Sequence, residues 1–269
     1  MTISLNGATR LNVIVGDPIA QVKSPAAMTR SFLARGVDAV LVPAQVAAED
    51  LTLFLDAATK MKNLDGIIVT TPHKFACAAY CRSKSARSDF LGAVNVMRRE
   101  NGGWHGDIVD GVGFVGAARR HGVEPAGKTA LLVGAGGAGS AIALALIEAG
   151  VAELAVHDTD HARRDRLIER LGGLGKGRVG AGSSDPDGYD LVCNASPAGM
   201  GDGDPLPVDV GKLKPSQYVG CVITSSPVSP LVAEAAARGC VTGAWSDMYA
   251  ALQEPMLDFL LFADREVAP

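Results

Sequence analysis

Short runs of β-branched and aliphatic residues alternate with longer Ala- and Leu-rich segments almost from end to end of the chain. Residues 11–15, 39–42 and 66–69 have the length and branching of buried strands, and 24–33 and 49–60 between them read as helices. Ser24 is expected to cap the first helix, with Pro25 at its first position, where a missing N–H is harmless. Thr70-Thr71-Pro72-His73-Lys74 reads as a loop, because proline biases its predecessor away from helix. After a further helical stretch, residues 94–99 and the Trp104 segment read as a hairpin turning at Asn101-Gly102-Gly103. From Lys128 the alternation sharpens into strands at 129–133, 154–157, 191–194 and 218–223 and helices at 137–149, 163–171 and 229–238, with 172–187 read as a loop. Repeated βα order predicts an α/β fold, with a parallel sheet covered by helices on both faces.

Composition narrows the function classes. Twenty-five basic and 29 acidic residues give a formal charge of −4, without the basic excess of a nucleic-acid binder. The apolar stretches fall short of the ~20 residues of a membrane span, and no secretory leader is visible, so a cytoplasmic protein is expected. Five cysteines (Cys77, Cys81, Cys193, Cys221 and Cys240) lack Cys-x-x-Cys spacing and read as reduced, buried thiols, with no metal site. Glycine is the outlier, at 32 of 269 residues. It clusters near Gly134 and Gly172, which points to tight turns and a ligand loop.

Val133 is followed by Gly134-Ala135-Gly136-Gly137-Ala138-Gly139, a Gly-x-Gly-x-x-Gly pattern through Gly134, Gly136 and Gly139. An apolar strand leads in and a small-residue helix leads out, the context in which backbone amides at a helix N-terminus receive a pyrophosphate. Asp158 follows at the end of the next strand, where a carboxylate can bind ribose hydroxyls and repel a 2′-phosphate. The expected cofactor is therefore NAD in preference to NADP. Arg163, Arg164 and Arg166 are expected on a solvated helix face, His73 in a partly exposed loop, and the stripe 259–262 in the core.

Hydride transfer to or from an alcohol needs an acid/base and orienting polar groups. Lys74 and Asp110, both in loop contexts, are candidates. Here the chain resembles the shikimate dehydrogenase family, which includes quinate dehydrogenases. Gly16-Asp17-Pro18-Ile19-Ala20 followed by Lys23-Ser24-Pro25 is similar to its N-terminal substrate loop, and Val69-Thr70-x-Pro72-x-Lys74 to its catalytic lysine motif. Gly92-Ala93-Val94-Asn95 and Asp110-Gly111-x-Gly113 resemble its substrate asparagine and catalytic aspartate motifs. Gly134-Ala135-Gly136-Gly137-Ala138 and Asn194-Ala195-Ser196-Pro197-x-Gly199-Met200 resemble its cofactor loop and a later cofactor-domain strand.

The resemblance implies two α/β domains. A substrate domain, 1–112, is completed by a C-terminal helix at 241–269, and a Rossmann-type domain occupies 113–240, with the site in the cleft between them. It implies oxidation of a ring hydroxyl of shikimate, quinate or a related hydroxylated ring carboxylate by a monomer or homodimer. Lys74 and Asp110 become the catalytic pair, with the formal base left open. Ser24, Thr70, Asn95 and Gln253 become substrate contacts, and Asn194, Ser196 and Met200 join the cofactor loop.

Departures from the family pattern gather at the carboxylate end of the substrate. Val22 stands in place of a serine, Ile68 and Ile108 in place of asparagines, Val96 and Val109 in place of threonines, and Thr224 in place of a tyrosine. His157-Asp158-Thr159 replaces the usual Asn-Arg-Thr, a further pointer to NAD. A non-catalytic NAD-binding regulator that has kept the fold is the alternative.

Overall fold

The computed structural model describes residues 5–201 and 203–262. These divide into two compact units: the chain up to Val109 together with the chain from Gln253, and Asp110–Leu252. The division falls at 109/110 and inside the last helix, rather than at 112/113 and 240/241.

The first unit runs β1 (Arg10–Gly16), α1 (Ser24–Ala34), β2 (Ala39–Gln45), α2 (Leu51–Lys60), β3 (Leu64–Val69), α3 (Lys74–Tyr80), β4 (Ser83–Lys84), α4 (Ala86–Leu91), β5 (Val96–Glu100) and β6 (Gly103–Asp107). Its sheet has the order β2-β1-β3-β5-β6-β4 and is mixed, since β5 runs antiparallel to both neighbours. The hairpin turns at Asn101-Gly102, as its sequence predicts. Val13, Val15, Leu55, Leu64, Ile67, Met97 and Trp104 form the core on one face of the sheet. Ser24 does not cap α1; it is the first helical residue, the cap position is Lys23, and no side chain bonds the helix end there.

The second unit runs α5 (Asp110–Arg120), β7 (Thr129–Val133), α6 (Gly137–Glu148), β8 (Glu153–His157), α7 (His161–Gly172), β9 (Arg178–Ala181), β10 (Leu191–Asn194), β11 (Tyr218–Cys221), α8 (Pro230–Ala237), β12 (Val241–Gly243) and α9 (Trp245–Leu261). All its strands are parallel in the order β12-β11-β10-β7-β8-β9, the dinucleotide-binding arrangement, whose direction of winding switches between β7 and β10. The expected 172–187 loop contains β9, an edge strand whose alternation is too short to stand out. From Gln253 onward α9 belongs to the first unit, where Arg35 pairs with Glu254 and Asp258 and Leu260 lies against Gly66. The expected apolar stripe is only partly core: Leu260 is buried, whereas Phe262 is 59% exposed and lies beneath the Arg98 guanidinium. All five cysteines are buried and free. Among the described residues, no helix is long and apolar enough to cross a membrane.

Candidate active site

In the first unit, the loops after β1, β2 and β3 meet at the carboxyl ends of three parallel strands. Thr70 N–H donates to Val15 O (3.0 Å), Asp17 N–H to Thr71 O (3.0 Å) and Val46 N–H to Gly16 O (3.2 Å). Lys74 is not in a loop. It is the first residue of α3, buried, and its carbonyl accepts Val94 N–H (3.0 Å). His73 is likewise not partly exposed: it is 2% accessible, with Nε2 2.8 Å from Val46 O.

Asn95 is buried beside this loop. Its carbonyl accepts Val69 N–H (2.7 Å), its N–H donates to Asp107 O (2.9 Å), and its side-chain Oδ1 accepts Val109 N–H (3.0 Å). The end of β3 thus brings Thr70, Lys74 and Asn95 together. Asp107 anchors the same region, although nothing in the sequence singled it out. Its carboxylate accepts two bonds from the Arg87 guanidinium, one from the Ser85 hydroxyl and one from Ile108 N–H. Burial alone would push this carboxyl up, but those donors hold it below the usual carboxylate range. Ser24 begins α1 and is buried. The Gln253 amide donates instead to Ser31, two helical turns further along α1, or about 10 Å by helix rise.

In the second unit, Asp110 opens α5 and is buried; its sequence context read as a turn. Gly111 lets α5 lie against α6, because a Cβ there would meet Ala141 O at 2.1 Å. The glycine loop joins β7 to α6. Gly134 adopts φ +101°, disfavoured for residues bearing a Cβ, and a Cβ there would meet the Ala195 and Ser196 backbone at 2.8 Å. A Cβ on Gly139 would meet Gly134 O at 1.9 Å, whereas one on Gly136 would meet nothing within 4 Å. The first and third glycines therefore serve close packing, while Gly136 leaves an open cradle at the head of α6. Gly137, Ala138 and Gly139 form the first turn of that helix, where backbone N–H groups lack partners within the helix. Ala135 N–H donates to Asp158 Oδ2 (2.6 Å).

At the neighbouring end of β10, Asn194 is fully buried. Its Oδ1 accepts Ser196 N–H (3.0 Å) and Ser196 Oγ–H (2.7 Å), which folds the segment leading to the exposed Met200. The β7 and β10 loops lie side by side where the sheet's winding switches, the place where such sheets take a dinucleotide.

A family model described as the shikimate dehydrogenase substrate binding domain matches residues 14–97. A curated relative from Rubrobacter xylanophilus, named shikimate dehydrogenase (NADP(+)), is 38% identical over 221 residues, covering 80% of this chain and 77% of the relative. Among solved structures, a 5-ketofructose reductase from a Gluconobacter species superposes with a TM-score of 0.82 at 27% identity, covering 94% of this chain and 93% of that one. A quinate dehydrogenase from Corynebacterium glutamicum, in complex with NAD, superposes with a TM-score of 0.81 at 26% identity over the same shares.

Further curated relatives at 30–34% identity also carry the NADP(+) name, and these names overturn the expected preference for NAD. The structure supplies the physical reason. Asp158 is no bare carboxylate: besides Ala135 N–H, it accepts Asp160 N–H (2.8 Å) and the Arg163 guanidinium (2.7 and 3.1 Å). Burial raises its affinity for a proton, but the guanidinium and the two N–H groups outweigh that and keep it ionised. Its charge is offset by Arg163, whose side chain is 41% exposed, so the repulsion argued from Asp158 alone does not hold. Arg163 lies on the first turn of α7, five residues after Asp158, and is partly exposed, as expected of a residue on that helix's outer face; what the sequence does not show is its pairing with Asp158.

Proposed function

Because the chain belongs to the shikimate dehydrogenase family, we propose that it is an oxidoreductase acting on a ring hydroxyl of shikimate, quinate or a related hydroxylated ring carboxylate, with NADP(H) as cofactor. The observation that carries this reading is the buried Lys74 at the head of α3, gathered with Thr70 and Asn95 at the end of β3. The second unit fits the cofactor through the open cradle at Gly136 and the helix N-terminus behind it.

Residues 134–139 would hold the pyrophosphate, and Arg163 beside Asp158 offers a guanidinium to an adenosine phosphate. Asn194, Ser196 and Met200 would border the rest of the cofactor. A bound nicotinamide would supply the acceptor or donor of the hydride. Lys74 is the candidate to hydrogen-bond the reacting oxygen and handle the hydroxyl proton, and Asp110 is the second candidate for that proton. Thr70, Asn95 and Ser24 orient the ring through hydrogen bonds, with Gln253 as a further candidate.

A second substrate reading is a polyol or ketose without a carboxylate. Val22 beside Ser24 removes one hydroxyl from the loop proposed to face the substrate, and the structurally similar Gluconobacter protein is a 5-ketofructose reductase.

The test mixes the protein with NADP+ or NAD+ and shikimate or quinate, or with the reduced cofactors and 5-ketofructose, and follows the absorbance of the reduced nicotinamide. Lys74→Met is expected to lower kcat by about 10²–10⁴ while leaving cofactor affinity intact. Turnover of none of these compounds sinks the enzyme reading in favour of a cofactor-binding regulator, and near-normal turnover by Lys74→Met removes that lysine from the mechanism.

A further inference from the structure

We propose that His73 is a positioning residue for Lys74, holding the head of α3 against the loop that follows β2. The inference rests on the reading of Lys74 as the acid/base group. His73 is 2% accessible and sits at the cap position of α3, immediately before Lys74, where no side chain bonds the helix end. Its Nε2 lies 2.8 Å from Val46 O. A carbonyl only accepts, so Nε2 carries the proton and donates.

Val46 is itself fixed. Its N–H donates to Gly16 O (3.2 Å), and the adjacent Gln45 amide donates to Asp17 Oδ1 (2.8 Å). The imidazole therefore ties the Pro72-His73-Lys74 elbow to a braced loop from another strand. On the main chain, His73 N–H donates to Thr70 O (3.0 Å) and its carbonyl accepts Cys77 N–H (2.8 Å). Lys74 O accepts Val94 N–H (3.0 Å), so the lysine backbone is held on one side by the segment before β5 and on the other by the His73 tether. No side chain caps this seven-residue helix, so the His73 tether adds a fixed point at its head to the core packing of Cys77 and Ala78. Positioning to a fraction of an ångström matters for a group that must meet a reacting oxygen.

The alternative is a histidine that merely fills space, and side-chain geometry separates the two. Glutamine carries its amide nitrogen as many bonds from Cβ as histidine carries Nε2, so His73→Gln keeps the donor. His73→Leu fills the volume without one. The expected result is a kcat lower by about 10- to 100-fold in His73→Leu, with KM and cofactor Kd within about threefold of the parent, and kcat restored to within about threefold in His73→Gln. Should His73→Leu not fold, His73→Met, which likewise carries no donor, replaces it. A wild-type kcat in the donor-less variant with only a lower melting temperature, or an equal loss in His73→Gln, overturns the proposal.

Inactivity of the wild type toward the whole substrate panel sinks the parent reading instead. Crystal structures of wild type and the donor-less variant then decide the role of His73: a displaced first turn of α3 supports it, and superposition of that turn overturns it.

Discussion

Gly136→Ala and Gly139→Ala add the same methyl three residues apart, at the cap and in the first turn of α6, yet the structure assigns them opposite consequences. At Gly139 the new Cβ would lie 1.9 Å from Gly134 O and 2.8 Å from its carbonyl carbon, both backbone atoms held at a strand end. Relief requires the loop or α6 to shift by roughly 1 Å, an overpacking cost of about 1–3 kcal/mol. For a chain of this size, that lowers the melting temperature by about 2–10 °C. At Gly136 the backbone lies at φ −72°, which any residue adopts, and the Cβ enters open space. Stability should therefore fall by no more than about 1 kcal/mol, the loss expected when alanine replaces glycine at a helix N-cap, with no clash added to it.

The same open space is the proposed seat of the pyrophosphate. A methyl there keeps phosphate oxygens from the α6 amides, and losing one charge-assisted hydrogen bond costs about 1.5–3 kcal/mol, or roughly 10- to 150-fold in Kd. Thermal melts, read beside a fluorescence titration with NADPH, separate the effects. Gly136→Ala should melt like the parent and bind weakly, while Gly139→Ala should melt early. Parent-like NADPH affinity in Gly136→Ala would falsify the assignment of the cradle, and a parent-like melt in Gly139→Ala would refute the packing argument.

Two further outcomes follow from polar anchors in the first unit. Asp107 has its carboxyl held below the usual range, so its contribution is fully present above the unfolded carboxylate pKa of about 4 and is lost as the pH falls through the lower folded value. Asp107→Asn should thus be less stable than the parent at neutral pH and lose less on acidification; urea midpoints that stay equally far apart from pH 7 to pH 3 contradict this. Arg99 donates to the carbonyls of Ala58, Thr59, Met61 and Leu64 at 2.5–3.0 Å, closing the last turn of α2, and its guanidinium lies over the Trp104 ring. Arg99→Met should cost about 2–4 kcal/mol in urea unfolding, and a loss below about 0.5 kcal/mol would show those carbonyls to be equally well served by water.

Much of the architecture was legible because it rests on local pattern. Strands β7 and β10 coincide with their apolar runs, and the hairpin between β5 and β6 follows from Asn101-Gly102. The glycine loop announces itself because its demands, a left-handed Gly134 and close approach at Gly139, are met by residue type at fixed spacing. Strands β4, β9 and β12 escaped notice. Each is only two to four residues long, so pairing with a neighbouring strand rather than hydrophobic alternation defines it. The motifs single out Lys74 and Asp110 while their local sequence reads as loop; in the structure each opens a helix, α3 and α5, and α5 is held by its close approach to α6.

What a run of adjacent residues cannot carry is the partner of a polar side chain. Asp158 reads as a lone carboxylate until folding places Arg163 on one side of it and Ala135 N–H on another, and that pairing offsets the charge that would repel a phosphate. His73 reads as a partly exposed loop neighbour of a lysine until the β2 loop supplies Val46 O. Arg99 finds α2 across some forty residues of chain. Helix and strand periods are properties of neighbours and survive in the sequence, whereas the charge, burial and direction of a side chain depend on groups that only the folded chain brings within hydrogen-bonding distance.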